Sequence, residues 1–274
     1  MKADYLLMIK PTPLKEIQMF LLDMDGTVYF ENQLIPGAAE FIDYLIQQGK
    51  QYVFLTNNSS ESGKNYVKKI SRLGIPCSEE NVFTSGMATG IYLAEHYPHK
   101  KVYLLGTKAL YEELQSYGVE IVSEDATEAD IVLIGFDKEL TYPKLVRACE
   151  LLDEGAEFIA THPDMVCPVK NNRYIPDCGS FCQMITIATG KKPKIIGKPD
   201  RAMIDILAAK HHIPNANIAM IGDRIYTDIA TGINADAVSI LVLSGETTPE
   251  TLAQSTIKPH YVFDSILNVY QAVK

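Results

Sequence analysis

Short runs of Val, Ile, Leu and Phe alternate along this chain with stretches whose apolar positions recur at helical spacing. Strands are predicted at 17–22, 51–55 and 81–83, and helices at 37–48 behind Pro36, at 62–73 ending on Gly74, and at 87–97. The same alternation returns late, with strands at 194–196, 218–221 and 238–243 and helices at 201–211, at 228–234 and from Asp264 onward. Strands that are apolar throughout belong in a parallel sheet covered on both faces. The pattern therefore predicts an α/β fold with a doubly wound parallel sheet. Between the halves, residues 98–101 (Pro-His-Lys-Lys) and 190–193 (Gly-Lys-Lys-Pro) read as paired linkers around an insert. Strands at 102–105, 131–134 and 158–160 and helices at 109–117 and 142–153 make that insert a small α/β unit of its own. The predicted organisation is a core of residues 1–98 and 193–274 with a cap of residues 99–192 placed between them.

Composition narrows what this fold can serve. The chain has 274 residues, 47% of them hydrophobic and 22% charged, enough for one large or two modest domains with a real core. Its net charge of −9, with no basic cluster interleaved with aromatics, argues against nucleic acid and anionic membrane surfaces as partners. No segment approaches the roughly 20 apolar residues of a membrane span. At the amino terminus, Lys2 and Lys10 flank a patch at 5–9 that Pro11 and Pro13 cut short, too brief for a signal-peptide core. A cytoplasmic location is expected. Cys77, Cys149, Cys167, Cys178 and Cys182 form no CxxC pair, which argues against a disulfide framework and a zinc site and leaves buried thiols as the expectation. Neither His96 with His99 nor His211 with His212 finds ligand-spaced partners, and GxSxG, GxGxxG and P-loop patterns are absent.

The candidate chemistry sits where strands stop. Asp23-Met24-Asp25-Gly26-Thr27 ends the first strand, and the two-residue period puts both carboxylates on one face at its carboxyl edge, where open α/β sheets bind ligands. Paired acids repel and raise a pKa, so a metal or a reaction must compensate. Asp23 suits an ionised nucleophile and metal ligand, and Asp25 a proton carrier. Thr56-Asn57-Asn58-Ser59-Ser60 follows the second strand with a hydroxyl, amides and backbone N–H groups suited to phosphate oxygens, although such a run is also an ordinary helix cap. Lys198, in Gly197-Lys198-Pro199 with Pro199 read as a helix start, offers a point charge for a phosphate. Asp223 at the tip of the 218–221 strand completes a divalent oxygen site, with Asp228 behind it, and Mg²⁺ is the cation such a set prefers.

In this order, DxDGT, TNNSS, GKP and GDRxxTD resemble the four motifs of the haloacid dehalogenase (HAD) superfamily. The large insert after the second motif is similar to the type IIA, NagD-like or p-nitrophenyl phosphatase branch, as are DKELTYPKL at 137–145 and IPDCGS at 175–180. The resemblance implies a Rossmann-like core with a cap, and a Mg²⁺-dependent phosphatase of small phosphorylated metabolites. In it Asp23 forms an aspartyl-phosphate and Asp25 protonates the leaving oxygen, then activates water. Thr56 and Lys198 hold the phosphoryl group, with Asn57 and Asn58 nearby. The implied metal ligands are the Asp23 carboxylate, the Asp25 backbone carbonyl and Asp223, with Asp228 supporting them. Asp25 separates phosphate-ester hydrolysis from dehalogenation, since dehalogenases lack that second acid. The resemblance further implies that residues 161–168 face the core site, with Asp164 and Cys167 as substrate candidates, and that a homodimer forms through the cap. Where relatives carry Pro-Gly-x-Gly-Ser, this chain has Asp177 in place of the first glycine. Two alternatives stay open: a noncatalytic protein that binds a phosphorylated metabolite, and a phosphomutase.

Overall fold

The computed structural model describes residues 11–169 and 173–274, so Lys2, Lys10 and the patch at 5–9 lie outside the described residues. The chain divides into two compact units, the first made of Met1–Leu55, Lys69–Asn81 and Ile204–Lys274, the second of Thr56–Lys68 and Val82–Met203.

In the first unit five strands lie in the order Tyr261–Phe263, Val238–Val242, Ile218–Gly222, Met19–Leu22, Gln51–Thr56, each parallel to its neighbour. Met19–Leu22 is buried at every position because it is central and covered on both faces. Helix Ala38–Gln47 buries Phe41, Ile42 and Leu45, and Phe41 meets Phe20 of that strand edge to face at 5.4 Å. The closing helix is Ile266–Val273, and Phe41 also meets its Tyr270 at 6.5 Å.

The second unit holds its own parallel sheet, ordered Lys194–Ile195, Glu157–Ala160, Ile131–Ile134, Lys101–Leu105, Glu120–Ile121. Helices Tyr142–Asp153 and Cys178–Thr189 contribute Leu151, Leu152, Phe181 and Ile185 to a core shared with Val132, Ile134 and Phe158. The architecture is the α/β, Rossmann-like one the apolar runs predicted, with a separate second sheet.

Several expectations need correction. The 194–196 strand, expected to continue the first sheet, pairs instead with Glu157–Ala160, Lys194 opposite Ile159. So short a segment has no pattern of its own that names its sheet. Pro199 does not start a helix: the helix is Ala202–His211, and the Asp200 carboxylate accepts from the Ala202 amide at 2.9 Å. The helix expected at 228–234 opens earlier, as a wide π-type turn over Ile225–Ile229 that passes into Ala230–Asn234. Part of the expected 161–168 loop belongs to a hairpin of Val166–Val169 with Arg173–Pro176, and its Pro168 is tolerated because the ribbon has only two strands. Cys178 and Cys182 are buried, but the other three cysteines are only half-buried. Among the described residues no helix is long and apolar enough to cross a membrane.

Candidate functional site

In the first unit the Asp23 amide donates to the Ile221 carbonyl at 2.8 Å, so Asp23 stands at the carboxyl edge beside the end of Ile218–Gly222. Met24 is buried, Asp23 half-buried and Asp25 exposed. The chain then coils tightly, with the amides of Thr27, Val28 and Tyr29 all pointing at the Met24 carbonyl at 3.3, 2.9 and 3.2 Å. Gly26 permits this turn with a φ of +84°, and a Cβ there would stand 2.7 Å from Asp223 Oδ2. The Ser244 hydroxyl donates to the Gly26 carbonyl at 2.7 Å, which closes the far side of the turn.

Asp223 is 2% exposed and Asp228 fully buried. One carboxylate oxygen from each of Asp23, Asp223 and Asp228 falls within 4.8 Å of the other two. Asp223 Oδ2 accepts from the Glu246 amide at 2.6 Å, whereas Oδ1 is buried and meets no hydrogen-bond donor among the described residues. Burial, and then the neighbouring Asp228 charge, push the Asp223 carboxyl up to about 6. An oxygen-only donor set with an orphaned buried lone pair and too much negative charge fits a hard divalent cation. Asp228 Oδ2 accepts from the Arg224 amide at 3.1 Å, made possible by the wide turn that brings residue 228 back over 224.

Sequence reasoning passed over Arg224. Burial opposes its charge, but Asp23 and Glu246 hold the guanidinium protonated above its ordinary range, and its Nε lies 2.9 Å from Glu246 Oε2. Glu246 also accepts from the Tyr226 hydroxyl at 2.7 Å. The signal was an arginine directly after a strand-tip aspartate, where one positive charge can serve several carboxylates.

The second unit gathers the other predicted residues. Thr56, at the end of Gln51–Thr56, is nearly buried and its Oγ1 accepts from the Asn58 amide at 3.1 Å. Asn58 Oδ1 accepts from the Ser60 amide and hydroxyl at 2.9 and 2.8 Å, so these two side chains shape the turn. Asn57 Nδ2 donates to Asp164 Oδ1 at 3.1 Å and to the Lys198 carbonyl at 3.0 Å, while its Oδ1 accepts from the Lys198 amide at 2.9 Å. Lys198 is 3% exposed. Cys167 is half-buried against the second unit's core, with its thiol directed at the Pro168 carbonyl at 3.6 Å.

Sequence reasoning also missed His162. It is fully buried, with Nε2 at 3.0 Å from Asp177 Oδ1 and Nδ1 at 2.8 Å from Thr161 Oγ1. Burial alone would lower its pKa, but the Asp177 hydrogen bond and the Asp164 and Asp177 carboxylates push it up to about 9, the buried Cys178 thiol staying neutral. Asp177, noticed only as a departure from glycine, thus caps helix Cys178–Thr189 through the Cys178 amide and supplies this histidine's counter-charge. The Thr161 hydroxyl continues the chain to Ser59 Oγ at 3.0 Å, which accepts from the Phe136 amide at 2.9 Å.

Comparison with known proteins gives one direction throughout. Residues 20–120 match the model of the haloacid dehalogenase-like hydrolase family, and residues 195–269 match a second, HAD-hydrolase-like model. The chain is 34% identical over 261 residues to the acid sugar phosphatase of Staphylococcus saprophyticus, covering 95% of this chain and 100% of that protein. The crystal structure of the 4-nitrophenylphosphatase of Thermotoga maritima is similar with a TM-score of 0.90 at 42% identity, over 95% of this chain and 99% of that one. A structure described as a putative NagD protein follows with a TM-score of 0.86 at 40% identity, over 93% and 98% of the two chains.

Proposed function

Because this chain belongs to the haloacid dehalogenase-like hydrolases, in their NagD-like type IIA branch, we propose that it is a phosphatase of small phosphorylated metabolites working through an aspartyl-phosphate on Asp23. The observation that carries this reading is the cluster of Asp23, Asp223 and Asp228 with the undonated Asp223 Oδ1. Ionised Asp23 attacks phosphorus as the bond to the leaving oxygen breaks, and the Asp25 carboxyl gives that oxygen its proton. Asp25, now a carboxylate, takes a proton from water as the water attacks the phosphoryl group, which releases orthophosphate and returns Asp23. Asp25 is exposed, as a group that exchanges protons with solvent between turnovers must be. By the family resemblance Thr56 and Lys198 would hold the phosphoryl oxygens, and the Arg224 guanidinium, which is held charged in part by Asp23, adds positive charge on the nucleophile's side.

The family generally uses a divalent metal, and we assign Mg²⁺ because every available donor is oxygen. Asp23 and Asp223 would hold it with the Asp25 carbonyl, Asp228 supporting them. Held by these residues, it would supply positive charge that screens the phosphate from the anionic nucleophile. Sugar phosphates are the first substrate class to try, since a relative covering nearly the whole chain is named an acid sugar phosphatase.

The test is orthophosphate release from a panel of sugar phosphates, nucleoside monophosphates, pyridoxal phosphate and phosphoglycolate, with Mg²⁺ and with EDTA. Release that needs the metal and disappears in Asp23→Asn, with the circular dichroism spectrum unchanged, is the expected result. Recovery of a tightly held, unhydrolysed ester would favour a binding protein, and a rearranged ester a mutase.

A further inference from the structure

The Lys194–Ile195 strand runs beside Glu157–Ala160, and the ladder goes two rungs further: the Ile196 amide donates to the Ala160 carbonyl at 3.1 Å and the Gly197 amide to the Thr161 carbonyl at 2.7 Å. At Lys198 a side chain joins the pairing. The Asn57 side chain pairs with both the N–H and the C=O of Lys198 as a peptide group would. A Cβ at Gly197 would lie 2.7 Å from Asn57 Oδ1, so the glycine is what lets this amide approach.

The orientation of the amide is forced by its partners. The Asp164 carboxylate and the Lys198 carbonyl only accept, and the Lys198 N–H only donates. Flipped, Asn57 would set its oxygen against two acceptors and its NH₂ against a donor. The bond to Asp164 is charge-assisted and therefore the stronger lock on the orientation. Asp164 is itself anchored, its carbonyl accepting from the Gly179 amide at 2.8 Å.

Resting on the phosphatase reading, we propose that Asp164 is a positioning residue that acts through the Asn57 amide to fix the backbone of Lys198, and that it does not itself contact substrate. The loop that carries Asp164 is thereby coupled to the lysine that holds the phosphoryl group.

The test reads the pairing twice, by hydrogen exchange at the Lys198 amide and by steady-state kinetics on several phosphate esters. Loss of a hydrogen bond to a charged group corresponds to about 10- to 100-fold. In Asp164→Ala the Lys198 amide should exchange about 10-fold faster, and kcat should fall by a similar factor for every ester with KM nearly unchanged. Asp164→Asn, which still offers Asn57 an acceptor oxygen but not the charge, should lose clearly less than Asp164→Ala on both readouts. Asn57→Ala with Asp164→Ala should cost no more than Asn57→Ala alone, as expected when one residue acts only through the other. If Asn57→Ala does not fold, the two Asp164 variants decide. Losses confined to KM for some esters, equal damage from Asp164→Asn and Asp164→Ala, or unchanged exchange at Lys198 would overturn the proposal. If the parent protein releases no orthophosphate from any ester, the phosphatase reading fails, while the exchange experiment still decides the positioning role.

Discussion

The carboxylates at the end of Met19–Leu22 and the polar groups around Asn57 and Lys198 handle buried polarity in opposite ways. In the second unit both N–H groups and the oxygen of the Asn57 amide have partners, and the His162 imidazole meets the Asp177 carboxylate. In the first unit three acids converge, one oxygen of Asp223 has no donor among the described residues, and its pKa stands at about 6. Two unit charges 4 Å apart cost about 4 kcal/mol at an effective dielectric of 20, more than one neutral hydrogen bond returns. The polar groups around Asn57 are paired within the protein, whereas the three acids of the first unit leave negative charge and an undonated oxygen that the proposed cation would answer.

The sharpest way to break this contrast is to remove charges selectively. Asp25 is exposed and outside the cluster of three, so Asp25→Asn should lower kcat by about 10²–10⁴-fold while stability moves by no more than about 0.5 kcal/mol. A loss appearing only in KM would remove Asp25 from proton transfer. Asp223→Asn keeps an oxygen for the Glu246 amide but deletes a buried charge. It should cost about 100-fold in activity yet raise the melting temperature of the metal-free protein. In the parent, Mg²⁺ at 100 times its Kd adds about 2.7 kcal/mol, seen as a rise of several degrees that Asp223→Asn should lack. An equal Mg²⁺ response in both proteins would mean that the acids are not the metal site.

The same contrast explains what the sequence made visible. Asp23 and Asp223 follow directly on apolar strands, and Gly26 and Gly222 flank them, so local pattern alone placed them at a sheet edge. Helix Tyr142–Asp153 was legible to the residue because its apolar face is regular. By contrast, Asn57 meets Asp164 across 107 positions and Lys198 across 141, and no local pattern encodes such pairings. Helix Cys178–Thr189 was missed because Gly179 and a run of Ile and Thr are poor helix formers, and packing of Phe181, Cys182 and Ile185 overrides that weak preference. Helix Pro249–Gln254 and strand Tyr261–Phe263 are too short to show a period. Arg224 was legible as a residue but not as a charge partner, because its link to Glu246 depends on where the chain returns after Val238–Val242.

The most gradual expected effect separates the units by pH. His162 has its folded pKa raised from 6.5 to about 9, with Asp177, Asp164 and Cys178 facing it. The stability this contributes is complete below about pH 6.5 and is lost as pH rises through 9. In the first unit His260 runs the other way: burial lowers its pKa, so it costs stability only as pH falls below about 6.5. Urea unfolding followed by hydrogen exchange at amides of the second unit should therefore show protection falling between pH 6.5 and 9. His162→Gln should be less stable at pH 6 and should lose that slope. Saturating Mg²⁺ should leave the slope unchanged, because the proposed cation site is the three acids of the first unit. A slope that survives in His162→Gln, or protection that grows across the window, would show that the second cluster is not held by an imidazolium–carboxylate pair, and its self-sufficiency would then have to come from neutral hydrogen bonds alone.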